Sequence, residues 1–206
     1  MKFGILGPLF VSTDGRELPL AAPQQRTLLA VLLLHAGDPV SAARLIDDLW
    51  GEKPPATAGN AVRVGISELR KALGEGVIEA HTLGYVIRLE EDALDAARFE
   101  RLLKRGRRLI AEGAAAEADQ ALELWRGSAL ADFRYEEFAR SETARLDELR
   151  VVALEARLEA AVAPGRHIDA VPVLEGLVRE HPLRERLSPP APRPAAPLSV
   201  TVAVPT

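Results

Sequence analysis

Few residues in this sequence are placed to make or break a covalent bond. The four histidines, His35, His81, His167 and His181, lie far apart, and no His-x-x-x-His or mixed carboxylate spacing accompanies them, so no metal site is expected. The absence of cysteine excludes thiolate metal sites, disulfide frameworks and Cys nucleophiles. Gly4 and Gly7 with Pro8 are followed by neither Gly-x-Gly-x-x-Gly nor Gly-Lys-Ser/Thr, and there is no Gly-x-Ser-x-Gly elbow. The carboxylate pairs Asp47-Asp48 and Glu136-Glu137 are adjacent in sequence and diverge by about 100° on a helix, so they do not converge on a substrate. The expectation is a protein that is not an enzyme, with no catalytic, cofactor-binding or metal-ligating residue. What remains is hydrogen-bonding chemistry. On a helical wheel stepped by about 100° per residue, Asn60, Arg63, Ser67, Arg70 and Lys71 gather on one polar flank. They offer an amide, a hydroxyl and three cations that can hold a ligand without transforming it.

That flank belongs to a helix starting at Thr57, read as its N-cap, and running to about Leu73, where Gly74 and Gly76 stop it. Val62, Ile66, Leu69 and Leu73 fall at i, i+4, i+7 and i+11, one apolar face of a 3.6-residue repeat. Before it come short apolar runs over residues 2–20 with the hairpin dipeptide Asp14-Gly15, read as a small antiparallel sheet. A helix from Pro23 through Leu33 is apolar around most of its circumference and should be buried. Ser41 caps the next helix, with Ala43, Leu45, Ile46, Leu49 and Trp50 as its expected buried stripe and Gly51 as its end; Pro54-Pro55 stiffens the turn. After the polar-flanked helix, Val77–His81 and Tyr85–Leu89 read as a hairpin around Thr82-Leu83-Gly84. Two helices joined by a Pro-containing turn and followed by a β-hairpin are the parts of a winged helix-turn-helix, whose second helix enters the major groove of DNA.

From Asp95 the chain reads as paired helices. The first bears Phe99, Leu102, Leu103, Leu109 and Ile110, and the second Ala118, Ala121, Leu122 and Trp125. A long helix from about Glu136 to Ala163 turns Phe138, Leu146, Leu149, Val152, Leu158 and Val162 inward, and a fourth passes through Ile168, Val171, Leu174, Leu177 and Val178. Ala-rich helical pairs with short connections suggest a tetratricopeptide-like array, although no strict 34-residue period is present. Trp50 and Trp125 read as core anchors, Tyr85 first as packing of the hairpin, and the run Lys104–Arg108 as a solvated helix face. Residues 188–206 contain six prolines among 19 residues, which favours extended, solvated chain, and disorder is expected there.

Composition bounds the partners. The 206 residues carry a net charge of −4, with 48% hydrophobic and 27% charged, a composition able to bury a real core. Residues 1–95 hold 9 basic and 13 acidic residues, and the remainder 17 of each, so any nucleic-acid contact must rest on a local face rather than on bulk charge. No stretch approaches the roughly 18 apolar residues of a membrane span and no signal peptide opens the chain, so a cytoplasmic protein without a membrane partner is expected.

Together, "LLLHAGDPVSAARLIDDLWGEKPPATAGNAVRVGISELRKALG" followed by "TLGYVIRL", then "LDAARFERLL", "ALELWRGSALADF", "FARSETARLDELRVVALEARLEA" and "GRHIDAVPVLEGLVREHPLRERL", resemble the Streptomyces antibiotic regulatory protein family. The resemblance spans residues 1 to about 187. It implies a mainly α protein with small β sheets: an OmpR/PhoB-type winged helix over 1–92, a tetratricopeptide-like bacterial transcriptional activation domain over 93–187, and the tail 188–206. It implies a sequence-specific transcription regulator, an activator of secondary-metabolite (antibiotic) biosynthesis genes. Such a regulator binds direct repeats of double-stranded DNA near promoters, associates side by side on them and contacts RNA polymerase holoenzyme. By the same resemblance, Asn60, Arg63 and Ser67 lie nearest base edges, Arg70 and Lys71 lie nearer the backbone, and Thr82, Gly84 and Tyr85 with Arg88 form the wing. Arg pairs bidentately with guanine and Asn with adenine, while Lys and Ser hold phosphates.

Three features depart from the family pattern. Glu68 puts a carboxylate beside the presumed DNA face, where it is expected to repel phosphates. Gly65 sits in mid-helix, where glycine costs roughly 1 kcal/mol relative to alanine. The proline-rich tail stands where the family continues with further helices, so the helical domain reads as shortened, leaving an apolar stacking face without a polar cap. Two alternatives therefore stand beside the activator: a helical protein-interaction module over 95–187, and a DNA-binding competitor that lacks activation.

Overall fold

The computed structural model describes residues 1–20, 22–108 and 111–162, residues 111–115 and 160–162 by their backbone alone. The N-terminal sheet has strands β1 (Lys2–Gly4), β2 (Phe10–Thr13) and β3 (Arg16–Glu17), antiparallel in that order, with Phe3 opposite Val11 and Ser12 opposite Glu17. Asp14 and Gly15 both take positive φ, +50° and +77°, as a two-residue hairpin turn requires. Helix α1 (Pro23–Leu34) starts on a proline that needs no amide partner, and Leu28 through Leu33 are all buried, as the all-round apolar sequence predicts.

Helix α2 (Ala42–Trp50) is capped by Ser41, whose hydroxyl accepts the Arg44 amide at 3.1 Å, and Gly51 closes it at φ +57°. Its expected stripe is corrected. Only Leu45 is fully buried; Ile46, Leu49 and Trp50 are half-buried and Ala43 is exposed. A nine-residue helix resting on α1 and on the helix that follows it covers one line of side chains, and the flanks of that line stay in water.

Helix α3 (Ala58–Leu73) buries Val62, Ile66, Leu69 and Leu73 as the spacing predicts. Thr57 holds the N-cap position but its side chain makes no cap bond. Its backbone (φ −92°, ψ 5°) continues the turn from Pro55 instead of adopting the extended geometry that aims a hydroxyl at the first amides; the Pro55 carbonyl takes the Ala58 amide at 2.9 Å. Strands β4 (Ile78–His81) and β5 (Gly84–Ile87) form the expected hairpin, with β4 starting one residue after Val77, β5 running from Gly84 to Ile87 instead of Tyr85 to Leu89, His81 opposite Gly84 and Thr82-Leu83 as the turn. Val40 pairs with Tyr85 through two backbone hydrogen bonds of 2.8 and 2.9 Å, which ties the α1–α2 connection to the hairpin. A Cβ on Gly84 would run into the Val40 carbonyl, so this close approach requires glycine.

The helical part contains α4 (Asp95–Gly106), α5 (Ala111–Leu122), a 3-10 turn (Ala131–Phe133) and α6 (Glu137–Val162). Phe99 and Trp125 meet edge to face at 5.4 Å, with Trp125 in the turn beyond α5 rather than within it. Along α6, Leu146, Val151, Ala153 and Leu158 are buried, whereas Phe138, Leu149 and Val152 are half-buried; the inward face therefore runs through Val151 rather than Val152. In the run Lys104–Arg108, Arg105 pairs with Glu117 at 2.8 Å, and Gly106 ends α4. Leu109, Ile110, the fourth helix through Ile168–Val178 and the tail 188–206 lie outside the described residues.

The two parts are joined through the loop Ile5–Leu9, which follows β1. Asp95, in the first turn of α4, accepts the amides of Ile5 (2.8 Å) and Leu6 (3.1 Å) and the Arg126 guanidinium (3.1 Å). The Leu6 and Ile5 carbonyls accept the amides of Arg126 and Leu130 at 2.7 and 2.8 Å, and Asp132 accepts the Leu9 amide at 2.7 Å while pairing with Arg26 at 2.5 Å. Burial pushes the Asp95 carboxyl above the usual carboxylate value, against the pull of the two amides and Arg126. Within residues 1–160 the winged helix and the first helices therefore form one compact unit.

Candidate nucleic-acid interface

The site is built on the side of α3 that faces away from the core. Val62, Ile66, Leu69 and Leu73 anchor the opposite side, so the helix cannot rotate without exposing them. On the free side Asn60, Arg63, Ser67 and Lys71 are all exposed. Among the described residues Arg63 makes a single long hydrogen bond, 3.4 Å, to Asn60 Oδ1, so both side chains are available to a ligand.

Arg70 stands apart from these four. Its Nε donates to the Ile78 carbonyl at 2.8 Å and its guanidinium lies 6.0 Å from the centre of the Tyr85 ring. It straps α3 to the hairpin, and its remaining nitrogens are what it can offer a phosphate. Tyr85 is half-buried and held by the Val40 pairing, as hairpin packing requires. Thr82 is exposed at the tip of the hairpin. Arg88 is exposed, 3.4 Å from Glu79 and 3.3 Å from the Gly37 carbonyl. Since both partners of the Arg88–Glu79 pair are more than half exposed, the pair contributes little and exchanges readily with a phosphate.

Two of the three departures from the family pattern have local partners in the structure. Glu68 is engaged by Lys71 at 2.8 Å, an i,i+3 pair on the same helix with both side chains solvent-accessible, so its charge is balanced while Lys71 is drawn to no other partner among the described residues. Gly65 faces α1: a Cβ there would strike the Leu28 side chain, itself 1% exposed. The missing side chain makes room for a core leucine, which offsets the helix-propensity cost.

The polar-flank reading missed two contributors. Val64 is exposed in the middle of the free face, and with Gln24, Gln25, Asn60 and Glu68 it lines a shallow groove of about 280 Å³ between the start of α1 and α3. The same wheel that gathered the polar residues places Val64 among them, so its signal was present. The glutamines carried none, because their proximity depends on how α1 crosses α3. Among the described residues no group of His, Asp or Glu could hold a metal ion, and no helix is long and apolar enough to cross a membrane.

Comparison with known proteins agrees with this architecture. The family "Transcriptional regulatory protein, C terminal" matches residues 15–87, and the family "Bacterial transcriptional activator domain" matches residues 94–189. Regulatory protein AfsR of Streptomyces coelicolor is 43% identical over 192 residues, covering 91% of this chain and 19% of AfsR. Regulatory protein DnrI of Streptomyces peucetius is 35% identical over 202 residues, covering 91% of this chain and 74% of DnrI. The solved structure of Mycobacterium tuberculosis EmbR, in complex with a low affinity phosphopeptide, superposes with a TM-score of 0.86 at 36% identity, over 90% of this chain and 52% of that one. The chain thus spans about a fifth of AfsR, half of EmbR and three quarters of DnrI.

Proposed function

Because the chain belongs to the Streptomyces antibiotic regulatory protein family, whose members are transcription regulators with a winged-helix DNA-binding domain and not enzymes, we propose that it activates secondary-metabolite biosynthesis genes in the cytoplasm by binding direct repeats near their promoters. Residues 1–92 read the DNA, and residues 93–187 meet RNA polymerase holoenzyme. Asn60, Arg63 and Ser67 contact base edges, Lys71 and Arg70 contact phosphates, and Thr82, Tyr85 and Arg88 lay the wing on the backbone. The observation that carries this reading is the free face of α3, where four exposed hydrogen-bonding side chains sit on a helix locked from behind by Val62, Ile66, Leu69 and Leu73. An α-helix fits the major groove, and Arg and Asn are the side chains best shaped for bidentate pairing there.

Copies bound side by side on a repeat raise one another's effective concentration, so modest affinity per copy suffices. The joint at Asp95 and Asp132 supports a second step, since it holds the first helices of the activation domain at a set angle to the reading helix. The test is transcription from a promoter bearing the bound repeats, with purified polymerase and the whole chain. Activation that requires both repeats is expected; binding without activation would leave the competitor reading in its place. Binding should also be salt-sensitive, with about four phosphate contacts per copy giving a log–log slope near −3.6. A slope near zero in a salt titration would contradict the assignment of Arg70, Lys71 and Arg88 to phosphates.

A further inference from the structure

Val64 is the large apolar side chain left exposed on α3, at 52% of its surface. It lies about 200° around the helix from Val62, opposite the buried row and between Asn60 and Glu68. No core contact requires it there. A β-branched residue is a weaker helix former than the alanine or lysine that would satisfy an exposed helical position. Its neighbours one turn to either side, Asn60 and Ser67, are the residues assigned above to base edges. At the centre of a face that enters the major groove, the apolar feature a side chain can meet is the 5-methyl group of thymine. The stiff χ1 of valine holds its methyls ready for that contact with little entropy to lose.

We propose that Val64 is a specificity-determining residue that reads a thymine through its 5-methyl group, adding apolar recognition to the hydrogen bonds of Asn60 and Arg63. This rests on the assignment of α3 as the reading helix. The test uses the whole chain and the DNA site it selects from a random library, with each thymine replaced in turn by deoxyuridine, which removes the methyl group and nothing else. Affinity is measured at one salt concentration for the unaltered protein and for Val64→Ala, an exposed change that leaves the core untouched. At one thymine of each repeat the uridine should weaken the unaltered protein about fourfold, the factor for burying one methyl-sized group, and should leave Val64→Ala unaffected. Equal uridine effects in both proteins at every position, or no effect anywhere, would overturn the proposal while leaving the reading helix in place. Failure to select any sequence would overturn both, and would be distinguishable by that outcome alone.

Discussion

Arg63→Ala is expected to erase the preference for one base pair of the binding site, at a cost of about 1–3 kcal/mol there, while other positions keep their order of preference. The effect should be clean because Arg63 contributes little to the fold: it is exposed, and its bond to Asn60 Oδ1 is long at 3.4 Å. Lys71→Ala is the matched contrast. Its partner within the protein is Glu68 on the surface, so losing it should not unfold the chain, but it should weaken every sequence alike and lower the salt slope by about 1. Affinities of both variants across single-base changes of the site provide the check. A uniform loss from Arg63→Ala would move that residue to the phosphate backbone.

The second large effect is expected far from DNA. Asp95→Ala removes the acceptor shared by the Ile5 and Leu6 amides, 90 and 89 positions earlier in the chain, and by Arg126, 31 positions later. Ile5 and Leu6 are 1% and 0% exposed, so water does not readily replace the lost oxygen atoms. Two unsatisfied buried amides at about 1–3 kcal/mol each predict a loss of about 3 kcal/mol, a large share of the stability of a domain this size. Asp95→Asn keeps one acceptor but turns an NH2 group toward existing donors, so it should restore only part of that loss. Urea unfolding of the whole chain measures both. Unchanged midpoints would show that the loop Ile5–Leu9 is held without Asp95, by the backbone bonds from Arg126, Leu130 and Ala131 and by Asp132 on the Leu9 amide.

The sequence revealed α3 well because its information is local. The spacing of Val62, Ile66, Leu69 and Leu73 sets both the helix and its orientation, and the polar flank follows from the same periodicity. The hairpin was readable for a similar reason, since its strands and turn residues are contiguous. Elements whose meaning depends on distant partners were not readable. Gly65 looked like a weak point in a helix until Leu28, 37 positions earlier, was placed against it. Gly4 and Gly7 carried no motif, yet both admit Arg126, whose atoms a Cβ at either position would meet. The α2 stripe was overestimated because an apolar residue on a short surface helix need not find a partner. Glu68 differs from these, because its pairing with Lys71 at i,i+3 follows from local spacing alone.

The free face of α3 is proposed to discriminate among DNA sequences. Selection of DNA by the purified chain from a random library, sequenced after binding at two salt concentrations, tests it most directly. An enriched pair of direct repeats about one helical turn apart is expected, sharper at the higher salt as non-specific phosphate binding is screened away. Recovery of an unenriched library at both salts would contradict it, and would leave the helices from Asp95 onward as the part of the molecule through which it acts.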